Sequence, residues 1–503
     1  MQTKSLMSKQ SEIQYPYLNP GETSCSQKRF SNWQQLAATV SKEQNTFVRW
    51  LSLCLLVFVL SASSYAFLIP PFENSDEDAH LAYATCWATL IGKGVQAARG
   101  IPNVAQERYQ PPVYYLSCVP LVWFYDLTGN LSFPKRDPTF NYSPASPGHG
   151  PHRLFTAIDQ SSTAEMLLTV RACRAMRFIS LAWAVAACIF GAVWIWELSG
   201  NNLPLTLTAT NLFALNPRWV EASISIGNDA AAVCMANVVI WLLLNTLRAQ
   251  QPPSKGRIVV LGLACSAAAL IKFNGLGLAP IALITILVKN HWSSPSWRYQ
   301  ANSAVTFLLS AFVPLAPWLI ANFIFYGDPL AMKRELWAPF VRVRANDFGT
   351  LDFLGSEFQG FRWSYWAVFG QFAVLMHGPV YWLLDGFLLT TAFAALVFLL
   401  KTIVNGSPRE AIFQQLLPAI WAGVLLIMFL QYNRIVYASQ GRLLFPAGFC
   451  ISYYMSAGTF SLLPKVAANL AAVLISLAMI CFVWYVGIWV LWPAYHAATT
   501  AAS

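Results

Sequence analysis

Residues 47–80 read FVRWLSLCLLVFVLSASSYAFLIPPFENSDEDAH. The first part, 47–69, is apolar and long enough to cross a bilayer as one helix, because about 20 apolar residues span the hydrocarbon core. Directly after it, four acidic side chains lie among six residues: Glu73, Asp76, Glu77 and Asp78. Charges beside hydrocarbon must be solvated, paired or used in function. The stretch therefore predicts a membrane span with candidate chemistry at its end.

The composition extends this prediction to the whole chain. Of 503 residues, 56% are hydrophobic and 11% are charged, whereas soluble domains carry about 25% charge. The formal net charge of +10 comes from scattered basic residues. That pattern indicates the positive-inside bias of membrane proteins and argues against nucleic-acid binding, which needs a concentrated basic surface. We expect one polytopic membrane domain.

Eleven apolar segments predict an all-α polytopic membrane protein, with residues 1–45 as a polar cytoplasmic tail and 46–495 as the transmembrane domain. The predicted spans lie near 47–69, 172–198, 203–217, 230–247, 257–272, 275–290, 302–325, 380–400, 411–430, 443–461 and 466–491.

Basic residues mark four short loops, near 248–257, 289–298, 401–409 and 465. With a cytoplasmic N-terminus, all four loops fall on the cytoplasmic side, as the positive-inside rule requires. This orientation puts two long loops, 70–171 and 326–379, on the outer face. An apolar stretch that starts after Pro111 and Pro112 is too short to cross and predicts an interfacial helix in the first of these loops.

Four motifs follow one another along the chain. They are Asp76-Glu77 after the first span, Gln110-Pro111-Pro112-Val113-Tyr114-Tyr115, Asn216-Pro217 with Gly227-Asn228-Asp229, and Ala269-Leu270-Ile271-Lys272. Their order and spacing resemble those of the GT-C glycosyltransferases, including the aminoarabinose and protein mannosyl transferases. Segments 321–330, 364–370 and 440–446 resemble an uncharacterised bacterial branch of that superfamily. The chain departs from the family at Ser75, where the family often has proline before the Asp-Glu pair.

This resemblance implies an enzyme of the bacterial inner membrane. It would move a sugar, a hexose or a pentose, from a polyprenyl-phosphate carrier to a lipid, glycan or protein acceptor of the cell envelope. The active site would lie on the non-cytoplasmic face, among membrane lipids. The resemblance also implies that Tyr114 contacts substrate.

Sugar transfer from a lipid phosphate needs a base for the acceptor proton, a cation for the departing phosphate and an apolar groove for the lipid. Carboxylates serve the first need, so we predict Asp76 and Glu77 as catalytic residues and Asp229 as a second acid from another loop. Attack opposite the leaving phosphate would invert the anomeric centre.

His80 lies four residues after Asp76, on the same face if a helix starts there. The spacing predicts a substrate-binding role for His80, as a carboxylate–imidazole pair or as a divalent metal site with Asp76. We predict that Lys272 and Arg442 bind the phosphate, because both are placed at outer span ends and both cations suit phosphate.

Simpler interpretations exist for several of these residues. Acids favour helix N-termini without any function, and for Glu73 and Asp78 a solvated face is the preferred interpretation. Arg171, Arg174 and Arg177 at a span entrance are typical of lipid head-group contact. The aromatic run 363–366 is consistent with an interface belt or with stacking on sugar.

Two other classes remain as alternatives. A transporter or flippase of lipid-linked sugars would carry charges at mid-span and repeat-related broken helices. An envelope polysaccharide ligase or polymerase would use the long loop 326–379, but would depend on Arg and His more than on an early Asp-Glu pair. The acids at span ends favour the transferase.

Overall fold

Helices form nearly all the regular structure of this protein. The computed structural model describes residues 23–140, 148, 153–155, 163–293, 296–339, 343–344, 346 and 348–496. Within these residues the one paired sheet is an antiparallel hairpin of β1 (Val368–Phe369) and β2 (Val374–Leu375). The predicted all-α fold is confirmed.

The first ten helices carry the acidic segment and the first part of the core. They are α1 (Thr23–Leu68), α2 (Glu77–Lys93), α3 (Val95–Arg99), α4 (Val113–Phe124), α5 (Leu127–Asn130), α6 (Ala164–Leu198), α7 (Leu203–Ala214), α8 (Pro217–Ser223), α9 (Asp229–Arg248) and α10 (Lys255–Ile271).

The remaining helices complete the bundle. They are α11 (Leu278–Ser293), α12 (Trp297–Phe312), α13 (Ala316–Tyr326), α14 (Arg334–Trp337), α15 (Thr350–Asp352), α16 (Phe358–Trp366), α17 (Gly378–Val404), α18 (Arg409–Asn433), α19 (Gly448–Leu462), α20 (Lys465–Val486) and α21 (Trp492–His496). Three 3-10 turns matter for the site: Ala105–Tyr109, Phe273–Gly277 and Gly441–Ala447.

The chain is a multi-pass membrane protein, with fewer full-length spans than predicted. Within the described ranges, seven helices are long and apolar enough to cross a membrane, or eight if α12 and α13 form one span bent by 54°. Pro314 and Pro317 explain that bend, since each lacks the N–H of a helical hydrogen bond. The predicted count of eleven is not confirmed, because α7, α10 and α19 have 12, 17 and 15 residues.

The first helix is longer than predicted. α1 starts at Thr23, so the second half of the predicted tail 1–45 is helical, while residues 1–22 of that tail lie outside the described residues. Among the described residues, those up to Trp50 belong to one compact unit and those from Leu51 onward to another. Everything that follows concerns the second unit.

A short helix lies where the Pro-Pro element predicts one. Pro112 immediately precedes α4, where its fixed φ suits helix entry. Tyr114, Tyr115 and Cys118 on α4 are fully buried and belong to an apolar cluster that also contains residues of α2, α6 and α9. This cluster packs α2 and α4 against α6 and α9.

Glu77 and Arg177 form a fully buried ion pair at the end of α1. Arg177 of α6 donates to both carboxylate oxygens of Glu77, from Nε at 3.0 Å and from Nη2 at 2.7 Å, and neither side chain is accessible. The expectation that Arg177 meets lipid head groups is wrong. Burial of an arginine requires a paired acid, and that acid is 100 residues away in sequence.

The Glu77–Arg177 pair also forms hydrogen bonds with the surrounding backbone. Arg177 also donates to the carbonyl oxygens of three residues at the end of α1 and just after it, Ala66, Ile69 and Pro70. Carbonyl groups at a helix C-terminus lack intrahelical donors, and the Arg177 guanidinium donates hydrogen bonds to them. Glu77 in turn accepts from the backbone N–H groups of Phe72 and Ile226. One ion pair thus joins α1, the start of α2, α6 and the segment before α9.

Replacement Glu77→Gln should destabilise the fold severely, because it leaves the Arg177 charge buried without its counterion. Removing one partner of a buried pair costs about 3–5 kcal/mol. Thermal unfolding of the purified protein in detergent measures the effect. Glu165→Gln is the matched control, since Glu165 is an exposed acid in the first turn of α6, and it should melt like the wild type. Equal melting of Glu77→Gln and wild type would contradict this role.

Candidate active site

Two carboxylates and two cations from four separate parts of the chain meet at one place. Arg442 lies between the two acids, with Nη2 3.3 Å from Asp76 Oδ2 and Nη1 3.1 Å from Asp229 Oδ2. Lys272 Nζ forms an ion pair with Asp229 Oδ1. All four side chains are between 12% and 18% exposed, so they remain accessible to a ligand.

Each acid of this cluster is placed by the start of a helix. Asp76 is the N-cap residue of α2 and adopts a left-handed conformation with φ of 62°, a region that aspartate tolerates better than most residues. Asp229 is the first residue of α9, where the helix dipole favours a negative charge.

The cations lie where helices are interrupted. Lys272 follows α10 in an extended conformation, with φ of −153° and ψ of 135°. Arg442 lies in the Gly441–Ala447 turn, and its Nε donates to Gln440 Oε1 at 2.5 Å. A Cβ at Gly441 would approach Tyr365 N to 2.5 Å and Phe361 O to 2.6 Å, so only glycine lets this turn pack on α16. The predicted Lys272 and Arg442 are brought together in this way.

A second set of polar side chains, around His80, lies beside the cluster of Asp76, Asp229, Lys272 and Arg442. His80 Nδ1 is 2.8 Å from the Tyr115 hydroxyl and 3.3 Å from Glu107 Oε2. Burial lowers the pKa of His80 to about 4, against the opposing effect of the nearby Asp76 and Asp229 carboxylates. The imidazole is therefore neutral at neutral pH and can accept as well as donate a hydrogen bond.

Sequence reasoning missed Glu107. It is 4% exposed, lies in the Ala105–Tyr109 turn and borders the same cavity as His80. The only signal in the sequence was an isolated acid four residues before Pro111, which is weak without knowledge of the turn that directs the side chain inward.

Two other predicted residues do not reach the cavity. Tyr114 is fully buried, its hydroxyl lies 2.7 Å from Ser180 Oγ, and it accepts the Gly227 N–H at 3.0 Å. It thus supports the Gly227-Asn228-Asp229 loop from behind. Glu77 is held by Arg177, and neither Tyr114 nor Glu77 borders the cavity. Direct roles in catalysis or substrate binding stay predictions for both.

The predicted Asp76–His80 metal pair gains no third ligand. The described residues contain no group of three or more His, Cys, Asp or Glu side chains arranged to hold a metal ion. The Asp76 carboxylate is shared with Arg442, and His80 Nδ1 faces Tyr115 and Glu107. These residues do not fit a divalent cation, and the metal remains an untested prediction.

A cavity of about 640 Å³ opens from this polar cluster. Its polar end is bordered by Asp76, His80, Glu107, Gln110, Arg136, Asn228, Asp229, Lys272, Gln440 and Arg442. Its mostly apolar wall comes from the second half of α18 and the loop after it, from the Phe273–Gly277 turn, and from residues 330–332, 337, 339 and 343. The aromatic residues that border the cavity are Tyr109, Trp337, Phe273, Phe429 and Tyr432.

The aromatic run 363–366 does not border this cavity. Trp366 is 2% exposed, and Trp363 stacks on Tyr381 with ring centroids 4.3 Å apart. The aromatic surfaces that a ligand would meet are therefore those of Tyr109, Phe273, Trp337, Phe429 and Tyr432.

The other two acids of the opening stretch are buried, so their predicted solvated face is wrong. Glu73 and Asp78 are each 2% exposed. Glu73 accepts the backbone N–H groups of Leu154 and Phe155 at 2.7 and 3.2 Å, and Asp78 pairs with Arg136 at 2.6 Å. Burial raises the pKa of Glu73 to about 7 and raises that of Asp78 as well.

Unfavourable backbone conformations concentrate around the cavity. Among the described residues, nine non-glycine residues have positive φ, and four of them border the cavity: Asp76, Ala105, Ala331 and Gln371. Gln371 lies at the tip of the β1–β2 hairpin, directly between Gly370 and Phe372, which also have positive φ. Such conformations cost of order 1–3 kcal/mol each and cluster at functional sites.

Comparison with solved structures finds similarity to ArnT from Cupriavidus metallidurans. The crystal structure of that protein bound to undecaprenyl phosphate has a TM-score of 0.47 and 13% identity, over 89% of this chain and 73% of that chain. The crystal structure of its apo state has a TM-score of 0.46 and 12% identity, over 84% of this chain and 61% of that chain. No family model and no curated protein matches the sequence.

The raised pKa of Glu73 predicts a specific pH dependence of stability. The native state holds the Glu73 proton more tightly than the unfolded chain, whose glutamate titrates near 4.5. The free energy of unfolding should therefore fall as pH rises from 4.5 to 7, by about 3 kcal/mol from this group, and level off above. Melting curves of wild type and Glu73→Gln across this pH range measure the effect.

Glu73→Gln should flatten that part of the profile, because glutamine carries no ionisable proton, while Glu165→Gln should leave the slope unchanged. A profile of Glu73→Gln parallel to that of the wild type would assign the pH dependence to other groups.

Proposed function

We propose that this protein is an integral-membrane glycosyltransferase of the GT-C type, which transfers a sugar from a polyprenyl-phosphate carrier to an acceptor of the cell envelope. One observation carries the proposal. Arg442 and Lys272 lie with Asp76 and Asp229 at the polar end of a cavity whose remaining wall is mostly apolar. A ligand with an anionic head and a long apolar tail would place its head at the polar end and its tail along the apolar wall.

The two cations supply electrostatic stabilisation of the leaving group. When the sugar–phosphate bond breaks, negative charge grows on the phosphate oxygens. The planar guanidinium of Arg442 can bind two of these oxygens, and the Lys272 ammonium can meet a third. Donors fixed before the reaction stabilise such charge without reorganisation, and each is typically worth a factor of about 10² or more in rate.

Asp76 is the proposed base. The acceptor hydroxyl oxygen forms a bond to the anomeric carbon, the bond from that carbon to the phosphate oxygen breaks, and the hydroxyl proton goes to Asp76. Polyprenyl phosphate departs with the electron pair. Attack from the face opposite the phosphate inverts the anomeric centre. Asp229 holds Lys272 and Arg442 in place at the other side of the cluster.

The apolar wall suits the first isoprene units of the carrier. Leu276, Leu425 and Met428 face the cavity from the Phe273–Gly277 turn and α18, and Ile427 beside them is 61% exposed. This places apolar surface from the polar cluster to the exterior of the bundle. Burial of apolar area contributes about 25 cal/mol per Å², so the tail would supply much of the binding energy without recognising a particular sugar.

His80, Glu107, Gln110 and Asn228 are the proposed contacts for sugar or acceptor hydroxyls. Asn228 Nδ2 donates to Gln110 Oε1 at 3.0 Å, so these amides are already oriented with respect to each other. Glu77 and Tyr114 act through the backbone instead. Glu77 accepts the Ile226 N–H and Tyr114 accepts the Gly227 N–H, so both hold the loop that leads to Asp229.

Asp76→Asn should lower the transfer rate by about 10²–10⁴-fold, the usual contribution of a general base. The assay is release of labelled sugar, to acceptor or water, from a polyprenyl-phosphate sugar by the purified protein. Asp126→Asn is a matched control, because Asp126 is an exposed aspartate that also has a positive φ, of 47°. It should react at the wild-type rate.

Two results would contradict the assignment. An Asp76→Asn protein that transfers at the wild-type rate would remove Asp76 as the base. A wild-type protein that binds the carrier and moves it between leaflets without breaking the sugar–phosphate bond would favour the flippase alternative.

The proposed orientation places residues 140 and 350 on the outer face and 251 in the cytoplasm. In a variant that lacks the ten native cysteines, Phe140→Cys and Thr350→Cys should both react with a membrane-impermeant thiol reagent applied to intact cells. Gln251→Cys should react only after the membrane is opened. Labelling of only one of the first two positions would refute the common sidedness of the two long loops.

A further inference from the structure

Arg442 contacts the carboxylates of both Asp76 and Asp229. Of its five N–H groups, Nη2 faces Asp76 Oδ2 at 3.3 Å, Nη1 faces Asp229 Oδ2 at 3.1 Å, and Nε donates to Gln440. The guanidinium is 13% exposed. A phosphate that binds Nη1 and Nη2 in a bidentate manner therefore competes with the two carboxylates that contact these nitrogens in this structure.

We propose that Arg442 is a positioning residue for Asp76 and that the donor phosphate displaces Asp76 from it. This inference rests on the proposed function and extends it. Before the donor binds, the Asp76 carboxylate is occupied by the guanidinium. When the phosphate takes over the guanidinium, the carboxylate is released toward the acceptor hydroxyl. Donor binding thus activates the base.

The geometry points to Asp76, not Asp229, as the acid that leaves. Asp229 is held by Lys272 as well as by Arg442 and sits at the N-terminus of α9. The contact between Arg442 and Asp76 is the longer of the two arginine contacts. Asp76 also precedes the first helical residue of α2 and has a positive φ, with no hydrogen bond from its side chain to cap the helix.

The exchange would change the chemistry of Asp76 in the direction that catalysis needs. A carboxylate paired with a cation holds its charge easily and is a weak base, whereas a carboxylate next to a second anion accepts a proton more readily. The arriving phosphate both removes the cation and adds the anion. The acceptor hydroxyl is therefore deprotonated only when a donor is bound, and Asp76 does not act as a base without it.

The test is the affinity of the purified protein for undecaprenyl phosphate, with undecaprenol as the uncharged control lipid. If Asp76 competes with the phosphate for Arg442, Asp76→Asn should bind undecaprenyl phosphate about 3- to 10-fold more tightly than wild type, the size of typical pairwise couplings. Asp76→Gly serves as a second variant, because glycine adopts a positive φ without strain. Arg442→Ala should weaken binding.

The control for simple charge repulsion is Glu107→Gln, which removes a carboxylate from the same cavity. The double variant Asp76→Asn/Arg442→Ala completes a cycle, in which the gain from Asp76→Asn should vanish once Arg442 is absent. Wild-type binding that Asp76→Asn and Asp76→Gly leave unchanged would overturn the inference. So would an equal gain in Glu107→Gln, or a gain that persists in Arg442→Ala.

Failure of the proposed function gives a different result. If wild type binds undecaprenyl phosphate no more tightly than undecaprenol, the cation cluster does not recognise a lipid phosphate, and the proposed donor site falls together with the exchange. If wild type discriminates between the two lipids but the Asp76 variants do not bind more tightly, the donor site stands and only the exchange is refuted.

Discussion

The buried ion pair of Glu77 and Arg177 is the interaction on which the site depends. It fixes the chain immediately after α1, where an unpaired turn would otherwise have to be solvated beside hydrocarbon. Glu77 is the first residue of α2, and its side chain is held in the core by Arg177. The position of Asp76 at the N-terminus of α2 is therefore fixed. Asp76 can face the cavity because its neighbour faces the core. Two adjacent acids thus have separate tasks.

The cluster of Asp76, Asp229, Lys272 and Arg442 also balances its buried charges. Asp76 and Asp229 neutralise Lys272 and Arg442, which keeps four partly buried charges tolerable in an apolar surrounding. An anionic ligand that enters adds negative charge and competes with the two carboxylates for the contacts of Arg442.

The sequence carried enough information for the fold class and for the main members of the cluster. Asp76, Asp229, Lys272 and Arg442 all lie at ends of apolar segments, and hydropathy locates such ends well. The predicted count of eleven spans is not confirmed, because α7, α10 and α19 are apolar but short, and composition does not distinguish a span from a buried helix. The partner of Glu77 could not be read from the chain, since Arg177 is 100 positions away and its burial depends on tertiary packing. The inward aim of Glu107 depends in the same way on a 3-10 turn.

The left-handed residues around the cavity have a consequence for attempts to stabilise this protein. Substitutions to glycine at Asp76, Ala105, Ala331 or Gln371 would relieve local strain, so a screen for thermal tolerance would tend to select them. Each would also loosen the wall of the cavity or remove a side chain from it. Selection for stability and selection for activity should therefore diverge at these four positions, so a form selected for thermal tolerance should have a lower activity.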